Sequence, residues 1–283
     1  MLIDLYSNFI LWSDDVDWYS NEQFEKSLLS VKFTGSDLEQ HGVSIYDLSE
    51  SLLAIQRIIH KAHLAQENKL YKGSYPKREI REKLALQLGS RKKGSDLFAL
   101  VPLIADNDIL KKAFDYVISG IVGYYTGDVI ERLKKEKDDN KKIFIGAIHT
   151  EVANIVNRID TVGGVEGISI GSPLLGRETI AAFDSGTKDY LSAIKDEYYL
   201  GSYTEIIGSV YKFYPNSNLV GVRRSGGSTV SVWLSKEDFD QIRYLKERNP
   251  IYCFKGHPKY KFGVETKRIS EFDADEIEYI DKE

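Results

Sequence analysis

The sequence predicts an α+β protein: an N-terminal strand and helix, a hairpin and a helical hairpin precede a C-terminal β-rich, small barrel-like unit. Three patterns lead to this prediction. A strand pattern runs into a long apolar helical stripe near the start, two further helical stripes flank a charged turn, and short strand patterns fill the last third. We expect an acidic N-terminal arm over 1–26, a mixed α/β and helical domain over 27–199, and a β-rich domain over 200–283.

A long helix organises the predicted N-terminal domain. The segment Leu28–Thr34 alternates apolar and polar residues and predicts a strand. A helix is then predicted to begin at Ser44, because Asp47 lies three residues further on, as in a capping box. Its apolar residues recur at spacings of 3 and 4, which predicts a buried stripe of Ile45, Leu48, Leu52, Ile55, Ile59 and Ala62.

A hairpin and two further helices are predicted next. Glu82–Leu103 alternates on both sides of a basic turn and predicts a hairpin, while a short helix before Gly89 is the competing interpretation. One helix is expected to begin at Asp106 or Asp108 and another near Ile143, with the charged run Glu131–Lys142 between them as a solvated helix end and turn. Two such helices predict an antiparallel helical hairpin.

The C-terminal third changes from helical to strand patterns. The segment before it, Gly163–Gly176, matches neither the dinucleotide fingerprint nor the P-loop and predicts an irregular linker. Beyond Tyr203, turn residues separate alternating segments, and one helix is predicted at Lys236–Arg248. The predicted strands are Glu205–Tyr214, Asn218–Arg224, Thr229–Leu234, Pro250–Lys255, Phe262–Ile269 and Ala274–Ile280. Short strands with one helix predict a small barrel.

Charge is distributed unevenly along the 283 residues. Residues 1–26 carry six acids and one base, residues 271–283 carry seven acids and one base, and the whole chain has a net charge of −5, so the chain between them carries +6. Trp12 and Trp18 lie in the acidic arm, where aromatic residues indicate interface anchors. A strand and loop folded onto the protein's own domain is the alternative interpretation.

The apolar content of the chain predicts a cytoplasmic protein. No run approaches the roughly 18 apolar residues that a membrane span requires, and the N-terminus lacks the basic start of a signal peptide. The single cysteine, Cys253, excludes an internal disulfide and a cysteine-based metal cluster. We therefore expect no membrane contact.

The segment Lys69–Lys93 is the most basic part of the chain, with nine Lys or Arg residues against two acids. Its tyrosines, Tyr71 and Tyr75, would suit base stacking while the cations follow a phosphate backbone. Alternatively, this segment is a solvated face, or it contacts the protein's own acidic arms. Contact with the arms of a second copy predicts a homo-oligomer. The candidate contacts to nucleic acid or to a protein partner are Arg91, Lys92, Lys93, Arg223 and Arg224.

Signals for catalysis are weak. His60 and His63 lie three residues apart on the predicted helix, a spacing that suits metal binding, but only Glu67 could extend that site. Glu265 and Lys267 form a Glu-x-Lys pattern typical of metal-dependent nucleases, and a strand with solvent-facing charges explains it as well. We expect a non-enzymatic protein without a cofactor, and a metal-dependent nuclease is the second alternative.

Several short segments carry a resemblance: Phe33–Gly35, Gly42–Leu48, Leu53–Gln56, Lys93–Ser95, Ile207–Val210 and Phe254–Gly256. They are similar to segments of a family of uncharacterised bacterial and phage proteins linked to phage–host conflict, which includes phage inhibitors of Gabija-type defence. The resemblance implies a strand and helix at the start and a β-rich unit at the end, and it provides no catalytic residues to carry over. It implies a protein that binds a partner in phage–host defence, such as a phage inhibitor of a bacterial defence complex. Together with the self-assembly expected from charge, this predicts a self-assembling, partner-binding factor. A nucleic-acid-binding accessory protein of a defence system is the alternative.

Overall fold

The structure, a computed structural model, describes residues 24, 27–71, 73–91, 96–104, 107–160, 163–244, 250–264 and 269–280. The helices are α1 (Leu38–His41), α2 (Ile45–Gln66), α3 (Arg78–Leu84), α4 (Asp108–Gly120), α5 (Val129–Lys135), α6 (Asp139–Val156), α7 (Ser185–Ile194) and α8 (Lys236–Tyr244). The strands are β1 (Leu29–Thr34), β2 (Leu86–Arg91), β3 (Asp96–Pro102), β4 (Gly167–Ser172), β5 (Arg177–Phe183), β6 (Tyr198–Leu200), β7 (Thr204–Tyr214), β8 (Leu219–Arg224), β9 (Thr229–Trp233), β10 (Ile251–Lys261) and β11 (Glu271–Ile280). The predicted α+β class is confirmed.

Helix α2 lies at the centre of the N-terminal core, as the sequence predicts. Ser44 caps it, because its hydroxyl oxygen accepts a hydrogen bond of 3.0 Å from the backbone N–H of Asp47. Ile55 and Ile59 are buried, and α4 and α6 pack against this helix. The prediction is wrong for Ile45, which is 87% exposed because it is the first residue of the helix, at the end of the stripe.

An antiparallel sheet completes the N-terminal core. In the described part of the chain it has five strands in the order β2-β3-β1-β4-β5, which places β1 at the centre. Val31 of β1 lies opposite Phe98 of β3 and Ile170 of β4, and all three side chains are buried. The alternation that predicts β1 therefore places one face of the strand on the core.

Two predictions about this sheet need correction. Gly163–Gly176 is not an irregular linker, because β4 lies within it and pairs with both β1 and β5. Gly171 permits that pairing, since a Cβ there would lie 2.2 Å from the carbonyl oxygen of Glu178. Leu84 ends helix α3 instead of starting the hairpin, so both interpretations of Glu82–Leu103 are correct for a part of the segment.

The predicted helical hairpin is interrupted. Helix α4 begins after Asn107, whose side chain caps it, and continues into one π-helical turn, Ile121–Tyr125. The short helix α5 then separates α4 from α6. Arg132 of α5 donates hydrogen bonds of 3.3 and 2.7 Å to two carbonyl oxygens of the π-helical turn, which satisfies groups left free by the irregular helix. The segment Glu131–Lys142, predicted as a charged helix end and turn, contains the end of α5 and the start of α6.

The C-terminal strands close into a barrel, as the sequence predicts. In the described part of the chain, five strands follow the order β7-β8-β9-β11-β10, and β10 pairs with β7 to close the circle. Neighbouring strands are antiparallel except β9 and β11, which are parallel, and α8 connects β9 to β10. This connectivity is that of the OB-fold, a five-stranded Greek-key barrel.

The barrel encloses its own apolar core, to which α8 contributes Phe239 and Ile242. The strands supply the rest, among them Ile206, Val220, Val222, Val230, Val232, Phe254 and Phe272. The strand predicted at Phe262–Ile269 is absent from its described residues, because Phe262 and Gly263 form a turn after β10. Residues 265–268 lie outside the described ranges.

Aromatic side chains join the barrel to the N-terminal core. Tyr199, Tyr260 and Phe262 belong to the N-terminal apolar cluster, and the ring centroids of Tyr199 and Phe262 are 5.2 Å apart. The Lys142 ammonium of α6 also donates a hydrogen bond of 3.0 Å to the carbonyl oxygen of Leu200 in β6. These contacts hold the start of the barrel against α6.

Candidate functional site

One wall of the barrel has an unusual composition. Residues 206–235, which include most of β7 and all of β8 and β9, contain Lys212, Arg223 and Arg224 but no aspartate or glutamate. Strand β11, across the barrel from β8, carries five acids in ten residues. The barrel is therefore electrostatically polarised, with a basic wall centred on β8 and an acidic strand behind it.

The pairing register shows which side chains of this basic wall face outward. Buried valines of β8 and β9 pair with each other and fill the core, so the residues between them lie on the outer face of the barrel. The outward rows across β7, β8 and β9 are Tyr214–Leu219–Trp233, Lys212–Gly221–Ser231 and Ser209–Arg223–Thr229. Successive rows are about 7 Å apart, because every second residue of a strand faces the same side.

Tyr211 lies across the middle of the basic wall. It occupies the irregularity in β7 between Val210 and Lys212, where the register to β8 shifts. A Cβ on Gly221 would lie 2.9 Å from Cζ of Tyr211, so the tyrosine ring rests directly on the glycine backbone. The guanidinium carbon of Arg223 is 5.2 Å from the centre of the same ring. Tyr211 nevertheless remains 49% exposed, so the ring is accessible to a ligand.

A second cation lies beside a second aromatic ring on the wall. The Lys212 ammonium nitrogen is 4.5 Å from the centre of the Tyr214 ring, and both side chains are exposed. The hydrogen bond with the Tyr214 side chain raises the pKa of Lys212 above its ordinary value. In the described part of the chain, neither Lys212 nor Arg223 forms an ion pair with a carboxylate.

The structure separates the predicted contact residues. Arg223 lies on the outward face of the basic wall, while Arg224 is on the other face of β8, opposite Gly208. Arg91 forms an ion pair with the buried Asp96 and lies 5.6 Å from the centre of the Phe98 ring. Arg91 is thus held by the protein itself. Lys92, Lys93, Trp12 and Trp18 lie outside the described residues.

Other cations of the segment Lys69–Lys93 also have partners. Lys69 pairs with Glu67 at 3.2 Å, and Arg78 pairs with Glu82 at 3.1 Å. Arg81 lies 5.3 Å from the centre of the Tyr75 ring. Among the described residues, this segment offers a potential ligand fewer uncompensated charges than its composition suggests, because nearby carboxylates offset several of them.

The two histidines of α2, His60 and His63, pack within the protein, and burial lowers the pKa of each. His60 is 7% exposed, its ring packs edge-on against Tyr75 with centroids 5.4 Å apart, and burial lowers its pKa from 6.5 to about 4. Burial is also the main cause that lowers the pKa of His63. Within the described ranges, no group of three or more His, Cys, Asp or Glu residues could hold a metal ion. Glu265 and Lys267 lie outside those ranges.

Sequence reasoning missed the aromatic residues of the basic wall. The strand patterns predict Tyr211, Tyr214 and Trp233 as strand residues and indicate no functional role for them or for Gly221. The available signal was the absence of carboxylates over thirty consecutive residues, 206–235, in a chain with 29% charged residues. A search for segments that lack acids, in addition to segments rich in bases, reveals the wall in the sequence.

Fold and site together define an α+β protein with a closed, OB-type barrel and a basic, aromatic outer wall. In the described part of the chain, no helix combines the length and apolar character needed to cross a membrane. Comparison of the chain with family models, with curated proteins and with solved structures finds no match.

Proposed function

We propose that this protein binds single-stranded nucleic acid on the basic wall of its barrel. The observation that carries the proposal is the stack of Arg223 on Tyr211 over Gly221, within the thirty residues 206–235 that contain no carboxylate. Exposed rings accept bases by stacking, and unpaired cations attract the phosphates. A single strand presents both, whereas a duplex hides the faces of its bases.

The architecture of the barrel supports the same proposal by analogy. Barrels with this connectivity commonly bind oligonucleotides or oligosaccharides on the face of their second and third strands, which correspond to β8 and β9 here. An oligosaccharide would need stacking rings and hydrogen-bonding groups but no net positive wall. The absence of acids therefore favours the anionic ligand.

The test is oligonucleotide binding measured by fluorescence anisotropy at low salt. Wild-type protein is expected to bind labelled oligothymidylate or oligouridylate, with an affinity that falls as salt concentration rises. Arg223→Glu is expected to weaken binding strongly, because it puts a like charge beside the phosphates. The matched control is Arg57→Glu, which changes the net charge equally on an exposed position of α2.

Three results bear on the proposal. Loss of affinity in Arg223→Glu but not in Arg57→Glu supports it. Equal loss in both variants would point to diffuse charge attraction and count against a defined site. No binding by the wild-type protein to either oligonucleotide at low salt would contradict the proposal.

Self-association is a second candidate, and the polarised barrel favours it. The acidic strand β11 of one copy is complementary in charge to the basic wall of another. Light scattering that gives an oligomer at low salt and a monomer at high salt supports such assembly, and a monomer under both conditions contradicts it. The partner in phage–host defence that the family resemblance implies stays a prediction, and proteins that co-purify from the native host would test it.

A further inference from the structure

A second cluster of cation and aromatic rings lies beside the basic wall. The Lys259 ammonium nitrogen of β10 is 4.7 Å from the centre of the Trp233 ring and 5.1 Å from the centre of the Tyr198 ring. These rings come from β9 and β6, which lie on opposite sides of the β10–β11 pair. One lysine therefore connects two aromatic residues across the outer surface of the barrel.

Lys259 makes this contact in preference to a nearby carboxylate. Glu271 of β11 lies directly opposite Lys259 in the register, yet Lys259 forms no ion pair in the described part of the chain. The next outward lysine, Lys261, does form one, with Asp196 at 3.2 Å. The ammonium of Lys259 thus covers two rings that a ligand could occupy if the lysine moved aside.

Trp233 links this cluster to the basic wall. It stands in the outward row with Tyr214 and Leu219, at the border between β9 and β11. Its indole N–H is buried and has no hydrogen-bond acceptor among the described residues. A buried donor without an acceptor is unfavourable, so a small movement of the side chain towards an acceptor would be stabilising.

We propose that Trp233, at the border of the basic wall, acts with Lys259 and Tyr198 to extend the single-stranded nucleic-acid site from the wall towards β6. Bases stack on the two rings, and Lys259 leaves them to pair with a phosphate. The inference rests on the proposed function of the wall and adds the path of the strand, from Arg223 across β9 and β11 towards β6. On this path Lys259 is the cation that offsets Glu271 and Asp273 of β11. It predicts a longer binding site than the wall alone provides, because Tyr198 lies beyond β11.

Trp233 itself supplies a local probe. The chain has three tryptophans, and the variant Trp12→Phe/Trp18→Phe retains Trp233 as the sole one. Oligothymidylate and oligouridylate of about 4 and about 16 nucleotides, the limits of the site size of one such barrel, are titrated into this variant. Stacking on the indole is expected to quench its fluorescence with the longer oligonucleotides. Oligodeoxyuridylate of the same length, which differs from oligouridylate only in its sugar, then shows whether DNA or RNA gives the stronger quenching.

The lysine is tested by Lys259→Met in the same background, with Lys195→Met as the matched control on the surface near the end of α7. We expect Lys259→Met to weaken binding of the longer oligonucleotide by at least about fivefold. Loss of one phosphate contact should also reduce the slope of log affinity against log salt concentration by about 0.7, the value for a single strand. Binding of the shorter oligonucleotide should not change, because it occupies the wall alone.

The possible outcomes separate this inference from the proposed function. Binding that depends on Arg223 but leaves the fluorescence of Trp233 unchanged overturns the extension and leaves the function intact. A Lys259→Met protein that is less stable but binds both oligonucleotides as before assigns Lys259 a structural role in holding β6, which also overturns the extension. No binding of any oligonucleotide overturns both.

Discussion

The guanidinium of Arg223 and the ring of Tyr211 stack on the outside of the barrel, 5.2 Å apart, although they belong to different strands. The strand irregularity at Tyr211 turns its side chain over β8, and Gly221 leaves the space in which the ring lies. Three ordinary residues thus form a flat, positively charged platform. None of them would be notable alone.

Gly221→Ala tests whether the position of the Tyr211 ring matters. The added methyl group would lie 2.9 Å from the ring, so the ring must move, and an exposed side chain can do so at little cost in stability. We expect oligonucleotide affinity to fall about fivefold or more while the melting temperature changes little. The control is Gly226→Ala, where nothing lies within 4 Å of the added methyl group. Unchanged affinity in Gly221→Ala would show that the ring position is irrelevant.

Lys61→Met tests a buried ion pair that holds α2 against α6. The Lys61 ammonium is 2.8 Å from a carboxylate oxygen of Glu151 and 2.8 Å from the carbonyl oxygen of Ala147, and the two charged side chains are only 12% and 8% exposed. Removing the lysine leaves a buried carboxylate without this partner, so we expect the free energy of unfolding to fall by about 3–5 kcal/mol in urea denaturation. The double variant Lys61→Met/Glu151→Leu should recover a large part of that loss. Equal losses in both variants would contradict this explanation.

Two buried histidines predict a loss of stability in mild acid. Burial lowers the pKa of both His60 and His149 from 6.5 to about 4. Between these values the unfolded chain takes up protons that the folded protein does not, so the free energy of unfolding decreases as pH falls from about 6.5 to about 4. Each histidine contributes a slope of at most about 1.4 kcal/mol per pH unit.

The measurement is urea denaturation at several pH values in that window, with His149→Phe as the test variant. His149 lies between the rings of Tyr125 and Phe262, with centroids 6.2 and 4.9 Å away, so phenylalanine should be accepted in its place. We expect this variant to lose about half of the pH-dependent slope that the two histidines provide. An unchanged slope would exclude His149 as a source of the acid sensitivity.

Much of the fold is predictable because local signals agree with burial. Ser44 and Asp47 mark the start of α2, and the alternation of Leu28–Thr34 marks β1. The prediction of an irregular linker at Gly163–Gly176 is wrong, because it takes every glycine as a sign of irregular structure. Gly171 instead allows a close approach between two strands. That approach depends on β5, which the local sequence does not reveal.

The candidate site was harder to predict because it depends on register and on pairing across strands. Arg91 and Arg223 look equivalent as isolated basic residues, but Asp96 holds the charge of Arg91, whereas Arg223 stacks on an exposed ring. Only the fold shows that Tyr211, Gly221 and Arg223 meet on one surface. Closure of the barrel, through the parallel pair β9 and β11, is likewise a long-range property.

The most direct test of the proposed function is photochemical cross-linking of the full chain to a thiouridine-substituted oligonucleotide, followed by mass spectrometry of the linked peptides. Cross-links at Tyr211, Tyr214 or Trp233, lost in Arg223→Glu but kept in Arg57→Glu, are the predicted result. Cross-links confined to Lys69–Lys93, or no cross-linked complex at low salt, would contradict the assignment of the basic wall as a nucleic-acid site.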